Sequence, residues 1–463
     1  MKSKKFVLAA LALLAITSLL ALAGCKNDSV SETPAAKLVS ISVTTLPART
    51  VYSVGQSFDP TGMVVTATYN AGEPKDVTSL ATTDFDFSSA GVKTVTVSYS
   101  EGGSPVTKDF TVDVVNVEEP TKLTSYTSPN HTGSKWTYVA FGEWPQTIMK
   151  AGVTVDESEG KQMGMFTYYL GSDGNHYVKE EEKACEAGYK YSDGSDVNQK
   201  DESGSPSTRW FKVEPIVWRV LTENYIDADG NGTGNALLLA EKILTGGIPY
   251  YVDRNTRTIT GAGTKQGEPD TVCANNWQYS TIRAWLNGSY EANDTQNKTY
   301  TGKGFLQTAF TADAQSLIAD TSVDNSAAST IPSGITDEDL ESDWGNDENL
   351  YASDTPTTDK IFLLSEEEAT TLNSGFDEYN KYVGDGTTLT STRIRDTTDY
   401  AKATGADQSS TEGYGGCWWL RSPFYLDEDH ARVISSDGYA YDIYSDVGIT
   451  AGGVVPALSI SLK

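Results

Sequence analysis

The sequence predicts a multidomain protein in which an all-β sandwich precedes an α+β domain with long loop insertions. Two patterns indicate this order. Residues 38–115 alternate apolar and polar side chains between turn residues, which is typical of half-buried antiparallel strands. Residues 136–463 instead combine short apolar strands with short capped helices, separated by polar stretches. We therefore expect one small all-β domain and one larger α+β domain.

Composition excludes several classes of protein. The chain has 463 residues, a formal net charge of −28 and three histidines. Nucleic acid is excluded as a partner, because binding to its backbone needs clustered Lys and Arg. The few histidines disfavour a His-rich metal site. No nucleotide-binding loop, hydrolase elbow or zinc-ligand spacing occurs, so the sequence predicts no cofactor, no metal and no catalytic residue.

The N-terminus has the order of a secretory signal. Three lysines precede an apolar stretch over residues 6–23, which runs into Leu22-Ala23-Gly24-Cys25. This ending resembles the bacterial lipobox, which implies lipidation of Cys25; a plain transmembrane anchor is the alternative. We expect a signal peptide over 1–24, a tether over 25–37 and an exported protein. Its lipid would anchor it to the membrane of the cell envelope, with the body exposed at the surface.

Three further cysteines allow no more than one disulfide among themselves, because one must stay unpaired. These are Cys185, Cys273 and Cys417, and the sequence does not choose between the pairings. A catalytic thiol is the weaker alternative, since no histidine is adjacent to any of them.

Residues 38–115 predict the sandwich through several short alternating strands. Val39–Val43, Val95–Tyr99 and Phe110–Val114 alternate, and Gly-containing turns separate the strands. The order and spacing of further residues resemble bacterial immunoglobulin-like domains of the surface-protein type: Leu46-Pro47, Tyr52, Gly55, Phe58-Asp59, Thr61-Gly62-Met63, Tyr69, Gly91 and Thr94–Tyr99. The resemblance implies a spacer or adhesive module without catalysis. Residues 116–135 are rich in Thr, Ser, Pro and Glu and predict a linker.

The larger domain is predicted to contain short helices and short strands. Ser280 can cap a helix that Gly288 ends, and Ser365-Glu366-Glu367-Glu368 forms a capping box. The predicted strands are Pro215–Leu221, Ala236–Ala240, Lys360–Leu364, Trp418–Leu420 and Ala457–Ile460. Two polar stretches, 156–207 and 290–358, are predicted surface loops.

The ordered motifs of residues 136–463 resemble a bacterial domain family of uncharacterised function. They are Phe141-Gly142 with Pro145-Gln146, Trp218–Leu221, Ile282–Asn287, Trp418–Pro423 and Gly453–Leu458. Val455 departs from the family, which has Arg there. Such domains look like variants of the C-type lectin fold, which is shared with formylglycine-generating enzymes and with the variable proteins of diversity-generating retroelements. The resemblance therefore implies a C-type-lectin-like domain.

Residues 424–446 are the candidate binding face. Their 23 residues include four tyrosines, five aspartates and three serines, the composition of a paratope. The position between two family motifs resembles the region that retroelement variable proteins diversify. The alternative is a decorated hairpin with no ligand. The candidate ligand-binding residues are Phe424, Tyr425, Asp427, Asp429, His430, Tyr439, Tyr441 and Tyr444, and the expected ligand is a protein or a glycan.

Other motifs have plainer interpretations. Arg421 within an apolar strand predicts a structural pair with a buried carboxylate, and Trp418 and Trp419 are expected in the core. Residues 227–232 match the start of a calcium loop, but Leu238 stands where a bidentate Glu is needed, so a tight turn is favoured.

The sequence thus predicts a surface-anchored, non-catalytic ligand-binding lipoprotein. One alternative is a surface enzyme of the formylglycine-generating type, which a metal at Cys273 and Cys417 would favour. The other is a purely structural envelope protein that binds no ligand.

Overall fold

The computed structural model describes residues 36–128, 137–183, 188–197, 204–260, 262, 270–289, 299–331, 351–353, 355–371, 375–376, 391–440 and 443–462. The expected lipidation site Cys25, Cys185 and the candidate binding residue Tyr441 lie outside this part of the chain. Within it, no helix has both the length and the apolar character needed to cross a membrane.

Seven strands form the N-terminal sandwich. They are β1 (Leu38–Thr45), β2 (Val51–Ser53), β3 (Val64–Tyr69), β4 (Lys75–Asp76), β5 (Thr82–Asp84), β6 (Gly91–Tyr99) and β7 (Val106–Val115). One sheet has the order β1-β3-β4 and the other β2-β7-β6-β5. All pairs are antiparallel except β2 with β7, which are parallel.

The apolar side chains of the alternating sequence pattern lie on the inward faces of these sheets. In β6 the side chains of Val95 and Val97 are fully buried, while the threonines between and before them are not. Val65 and Ala67 of β3 are buried in the same core, together with Tyr52. The period of two places every second side chain on the inner face, so the two sheets bury a common apolar layer between them.

Sixteen further strands are described after the sandwich. They are β8 (Thr121–Lys122), β9 (Tyr138–Ile148), β10 (Lys161–Met163), β11 (Phe166–Leu170), β12 (His176–Glu181), β13 (Thr208–Thr222), β14 (Ala236–Ala240), β15 (Arg257–Thr258), β16 (Thr271–Val272), β17 (Thr321–Val323), β18 (Thr357–Asp359), β19 (Ile361–Phe362), β20 (Trp418–Pro423), β21 (His430–Ile434), β22 (Tyr444–Asp446) and β23 (Ala457–Ile460).

The helices are few and short. The described ones are α1 (Thr281–Asn287), α2 (Phe305–Ala309), α3 (Ala312–Leu317), α4 (Glu366–Thr370) and α5 (Asp399–Ala403). The predicted caps are confirmed: Ser280 accepts a hydrogen bond from the Arg283 amide, Gly288 adopts the left-handed conformation, and Ser365 and Glu368 form the capping box.

The 15-residue strand β13 is the centre of the main sheet. Its first half pairs with β12, its second half with β14, and β9 lies antiparallel along Phe211–Arg219. The sheet continues from β14 through β23 to β19, and from β12 through β11 to β10. A separate three-stranded sheet has the order β20-β21-β22. The domain is therefore mostly β, with helices packed around it.

Both predicted surface insertions contribute to the core. The stretch 156–207 contains β10, β11 and β12, which extend the main sheet. The described part of 290–358 contains α2 and α3, and Phe305 and Phe310 are buried there. The polar composition of the two stretches led to the loop prediction, because each element contributes only a few apolar side chains to the core.

The structure also differs from the linker prediction for residues 116–135. In its described part, β8 pairs with β9, and the Gly142 amide donates to the Val117 carbonyl over 3.0 Å. Ser128 is buried and donates to the Glu241 carboxylate. Residues 116–128, the described part of this segment, therefore belong to the folded body.

Charged side chains join the sandwich to the larger domain. Asp59 forms ion pairs with Lys150 and with the buried Lys212, whose ammonium lies 3.5 Å away. Arg49 pairs with Glu214 of β13 over 3.0 Å. Burial acts to raise the pKa of Asp59, but the hydrogen bond from Lys150, those from Thr61 and the charge of Lys212 outweigh it, so the pKa lies well below its usual range. The carboxylate is thus ionised at the junction.

Replacement of Asp59 by Asn is expected to lower the free energy of unfolding by about 3 kcal/mol, because Lys212 would stay buried without its carboxylate. Differential scanning calorimetry at pH 7 measures the effect. The control is Asp109→Asn, which changes the same charge at an exposed position of β7. Equal transition temperatures for the two variants would contradict the proposed strength of this junction.

Candidate functional site

The candidate face stands on the small sheet β20-β21-β22. Every residue of β20 is buried, and Trp418 and Trp419 are fully enclosed, so their predicted core position is confirmed. Arg421 pairs with Glu368 and donates to the Leu363 carbonyl over 2.8 Å, which confirms its predicted structural role. Because β20 is anchored from both faces, the loop that follows it starts from a fixed position.

Four aromatic side chains of the predicted set meet at one end of this sheet. The rings of Phe424 and Tyr444 stack with centroids 3.8 Å apart and planes 19° apart. His430 meets Tyr444 edge-on at 5.3 Å, and Tyr425 lies 5.0 Å from Phe424. Tyr444 is 44% exposed, whereas Phe424 is 1% exposed. Phe424 therefore supports Tyr444 from beneath and offers no surface of its own, contrary to its prediction as a contact residue.

Charged groups surround the stack. The His430 Nδ1 lies 2.8 Å from the Asp429 carboxylate and 3.9 Å from that of Asp427. On the buried side, the Arg432 guanidinium lies 4.9 Å from the centroid of the Phe424 ring and pairs with Glu366 over 2.9 Å. The buried charges of Arg432 and Glu366 neutralise each other. The outward surface therefore presents aromatic side chains next to the carboxylates of Asp427 and Asp429.

Asn275 holds the loop between β20 and β21. It is fully buried, and its side-chain amide donates to the carbonyls of Asp427 and His430 over 2.8 and 2.9 Å. Its own backbone amide donates to the Glu428 carbonyl over 3.0 Å. Sequence reasoning missed this residue, because it lies about 150 positions from the loop and in no recognised motif.

The seven predicted residues that the structure describes do not form one surface. Tyr439 lies in the turn that follows β21, where its amide donates to Ser435. Arg393 donates to the carbonyl of the adjacent Gly438 over 2.9 Å. Tyr444, in contrast, pairs with Arg432 in the middle of β21. Tyr425, Asp427, Asp429, His430 and Tyr444 are grouped with the supporting Phe424, and Tyr439 is at the opposite end of the hairpin.

The thiols and the aspartate loop show no metal-binding geometry in the described residues. No group of three or more His, Cys, Asp or Glu side chains there could hold a metal ion. Burial raises the pKa of the unbridged Cys417 thiol to about 12, which opposes thiolate chemistry. Asp227 accepts hydrogen bonds from the amides of Asp229 and Asn231, so it closes a turn.

Truncation of Asn275 to Ala is expected to destabilise the fold by about 1–3 kcal/mol, because the carbonyls of Asp427 and His430 would lose two hydrogen bonds from the Asn275 side-chain amide. Amide hydrogen exchange should increase across residues 424–430 in particular. Asn255→Ala removes an exposed turn amide and is the control. Unchanged exchange in the 424–430 loop would show that Asn275 does not hold it.

Comparison with known families identifies two regions. Residues 45–114 match the model of the bacterial Ig-like domain (group 3), and residues 233–462 match a model described as a domain of unknown function (DUF6273). No curated protein matches the chain. The second match begins just before β14, so β9–β13 precede it. The chain thus contains a bacterial immunoglobulin-like domain followed by a domain whose family has no assigned function.

Proposed function

We propose that this chain is a surface-anchored, non-catalytic lipoprotein whose C-terminal domain presents a ligand-binding face. The face consists of Tyr425, Leu426, Asp427, Asp429, His430 and Tyr444. Lipid on Cys25 would anchor the chain to the bacterial envelope, and the immunoglobulin-like domain would separate the face from the membrane.

The stack of Tyr444 on Phe424 carries this proposal. A tyrosine that is 44% exposed would lose little conformational freedom on binding, because the ring beneath already fixes its orientation. Leu426, the residue after Tyr425, is 61% exposed, and an exposed apolar side chain in a loop held by Asn275 provides a rigid contact. A rigid aromatic surface next to hydrogen-bonding groups is typical of the binding surfaces of antibodies.

The C-type-lectin-like interpretation of the domain is part of the same proposal. Two features support it: a small sheet, β20-β21-β22, lies apart from the main sheet, and the last strand β23 returns to pair with β14 and β19. Diversification of the face in the manner of retroelement variable proteins would fall on the outward side chains. The buried positions Arg432, Val433 and Ile434 of β21 should then stay constant among sibling isolates, while Tyr425, Asp427 and Tyr444 vary.

Binding at the face is tested with the purified chain on a glycan array and against a displayed peptide library. The doubly substituted Tyr444→Ala, Leu426→Ala chain should lose at least tenfold in affinity for whichever class binds, since these are the most exposed large hydrophobic side chains of the face. Leu317→Ala, at an apolar position of α3 that is 42% exposed, should bind as the original chain does. Binding that the double variant retains would place the ligand elsewhere, and no binding would favour a structural protein.

Anchoring is tested separately by expression in a bacterium supplied with radiolabelled palmitate. The original chain should incorporate label and sediment with membranes, because acylation supplies the apolar chains that insert into lipid. Cys25→Ser should remove the label and leave the signal uncleaved at this position. Equal labelling of both chains would exclude Cys25 as the lipidation site.

A further inference from the structure

A second candidate site is a cavity whose lining residues lie outside the candidate face. It is a cavity of about 440 Å³, which falls within the roughly 300–1,000 Å³ typical of small-molecule sites. Strands β9, β11 and β12, the loop after β14, α1 and α5 all contribute to its wall. None of the described residues between 424 and 446 lines it.

Aromatic rings form the floor of this cavity. Trp144 is central: Phe166 lies 5.0 Å from its ring, and Trp285 and Tyr400 meet it edge-on at 6.1 and 6.2 Å. The Trp144 indole N–H is already bonded to the Leu244 carbonyl over 3.0 Å. The mutual packing of these rings fixes them in place, and each is at most 7% exposed, so only a small part of each ring borders the cavity.

The half-buried side chains of Met165, Tyr169 and Ile248 carry the accessible apolar lining of the cavity.

Polar groups of both charges stand on one wall. The Tyr400 hydroxyl donates to one oxygen of the Glu180 carboxylate over 3.0 Å, and the carboxylate lines the cavity. Burial raises the pKa of Glu180, while the hydrogen bond from Tyr400 and the charge of Lys183 act to lower it. Lys183 also lines the cavity. A carboxylate acceptor and an ammonium donor therefore flank the aromatic floor.

Hydroxyl groups also line the cavity. Thr404 accepts a hydrogen bond from the Gly246 amide over 2.9 Å, and its hydroxyl lies 3.2 Å from that of Thr245. Each oxygen has a second lone pair that can accept from a ligand. The site thus offers acceptors and a donor around an apolar floor, and its facing ionic groups carry opposite charges.

We propose that this cavity binds a neutral sugar of one or two rings. A sugar presents C–H faces that pack on aromatic surfaces and hydroxyls that both donate and accept hydrogen bonds. Glu180 would accept from ligand hydroxyls, and Lys183 would donate to them. A strongly anionic ligand is disfavoured by Glu180 and by the net charge of −28, and a cationic ligand by Lys183 and Lys179 at the rim.

The proposal is independent of the face at Tyr444, because the two sites share no residue. A sugar could therefore bind in the cavity whether or not the outer face has a ligand. The substitutions that test one site leave the other unchanged, so failure of either proposal can be recognised separately.

The experiment uses the full chain in a detergent that contains no sugar. Isothermal titration calorimetry measures the binding of glucose, galactose, mannose, N-acetylglucosamine, lactose and chitobiose. Tryptophan fluorescence is recorded in parallel, since Trp144 and Trp285 are two of the nine tryptophans that contribute to it. At least one sugar should bind saturably and alter the fluorescence. Glu180→Gln should weaken that binding by tenfold or more, and Thr167→Trp, which fills the cavity, should abolish it.

Glu181→Gln is the matched control, since Glu181 is the next residue of β12 and does not line the cavity. It should bind as the original chain does, and circular dichroism confirms that each variant is folded. Absence of saturable binding with all six sugars would overturn the proposal. Equal affinity of the Glu180→Gln and Glu181→Gln variants, or binding of glycine or ethanolamine in place of sugar, would also overturn it.

Discussion

The pairing of strand β13 is the constraint on which the rest of the molecule depends. Fifteen consecutive residues stay extended because β9 covers one edge while β12 and β14 share the other. Few backbone groups of this strand are left to solvent, and its side chains are largely buried on both faces. A strand enclosed in this way is rigid, and its hydrogen bonds fix the position of each strand that pairs with it.

The position of the sandwich follows from the same strand. Lys212 and Glu214 of β13 reach Asp59 and Arg49, and the side-chain amide of Gln56 donates to the Val213 carbonyl. Buried ion pairs add little net stability compared with apolar contacts, but the loss of one partner is costly. This asymmetry favours a single docked arrangement of the two domains. The proposed display function thus rests on a stiff two-domain body and not on a flexible spacer.

The aromatic face and the cavity use the scaffold differently. The aromatic face at Tyr444 stands on the separate sheet β20-β21-β22 and is steadied by one buried amide, Asn275. The cavity lies where β9 and β12, both partners of β13, approach α5. One hairpin sheet and a single distant residue, Asn275, fix the first site, whereas the cavity exists only because strands distant in sequence share a neighbour. Both place aromatic rings beside carboxylates, which suits binding of polar ligands.

The sequence by itself determined the elements whose signals are local. Period-two alternation gave the sandwich strands, Ser280 with Gly288 and Ser365 with Glu368 gave the helix ends, and the Trp418–Pro423 motif marked a core strand with a buried Arg421. These features depend on residues within a few positions of one another. Only the tertiary structure decided that residues 116–128 join the folded body, that Phe424 lies beneath Tyr444, and that Tyr439 lies apart. The tertiary structure likewise brought Glu180 to Tyr400 and Asn275 to the 424–430 loop. Contacts across 150 or more residues depend on how the sheet is assembled, and no local periodicity records that.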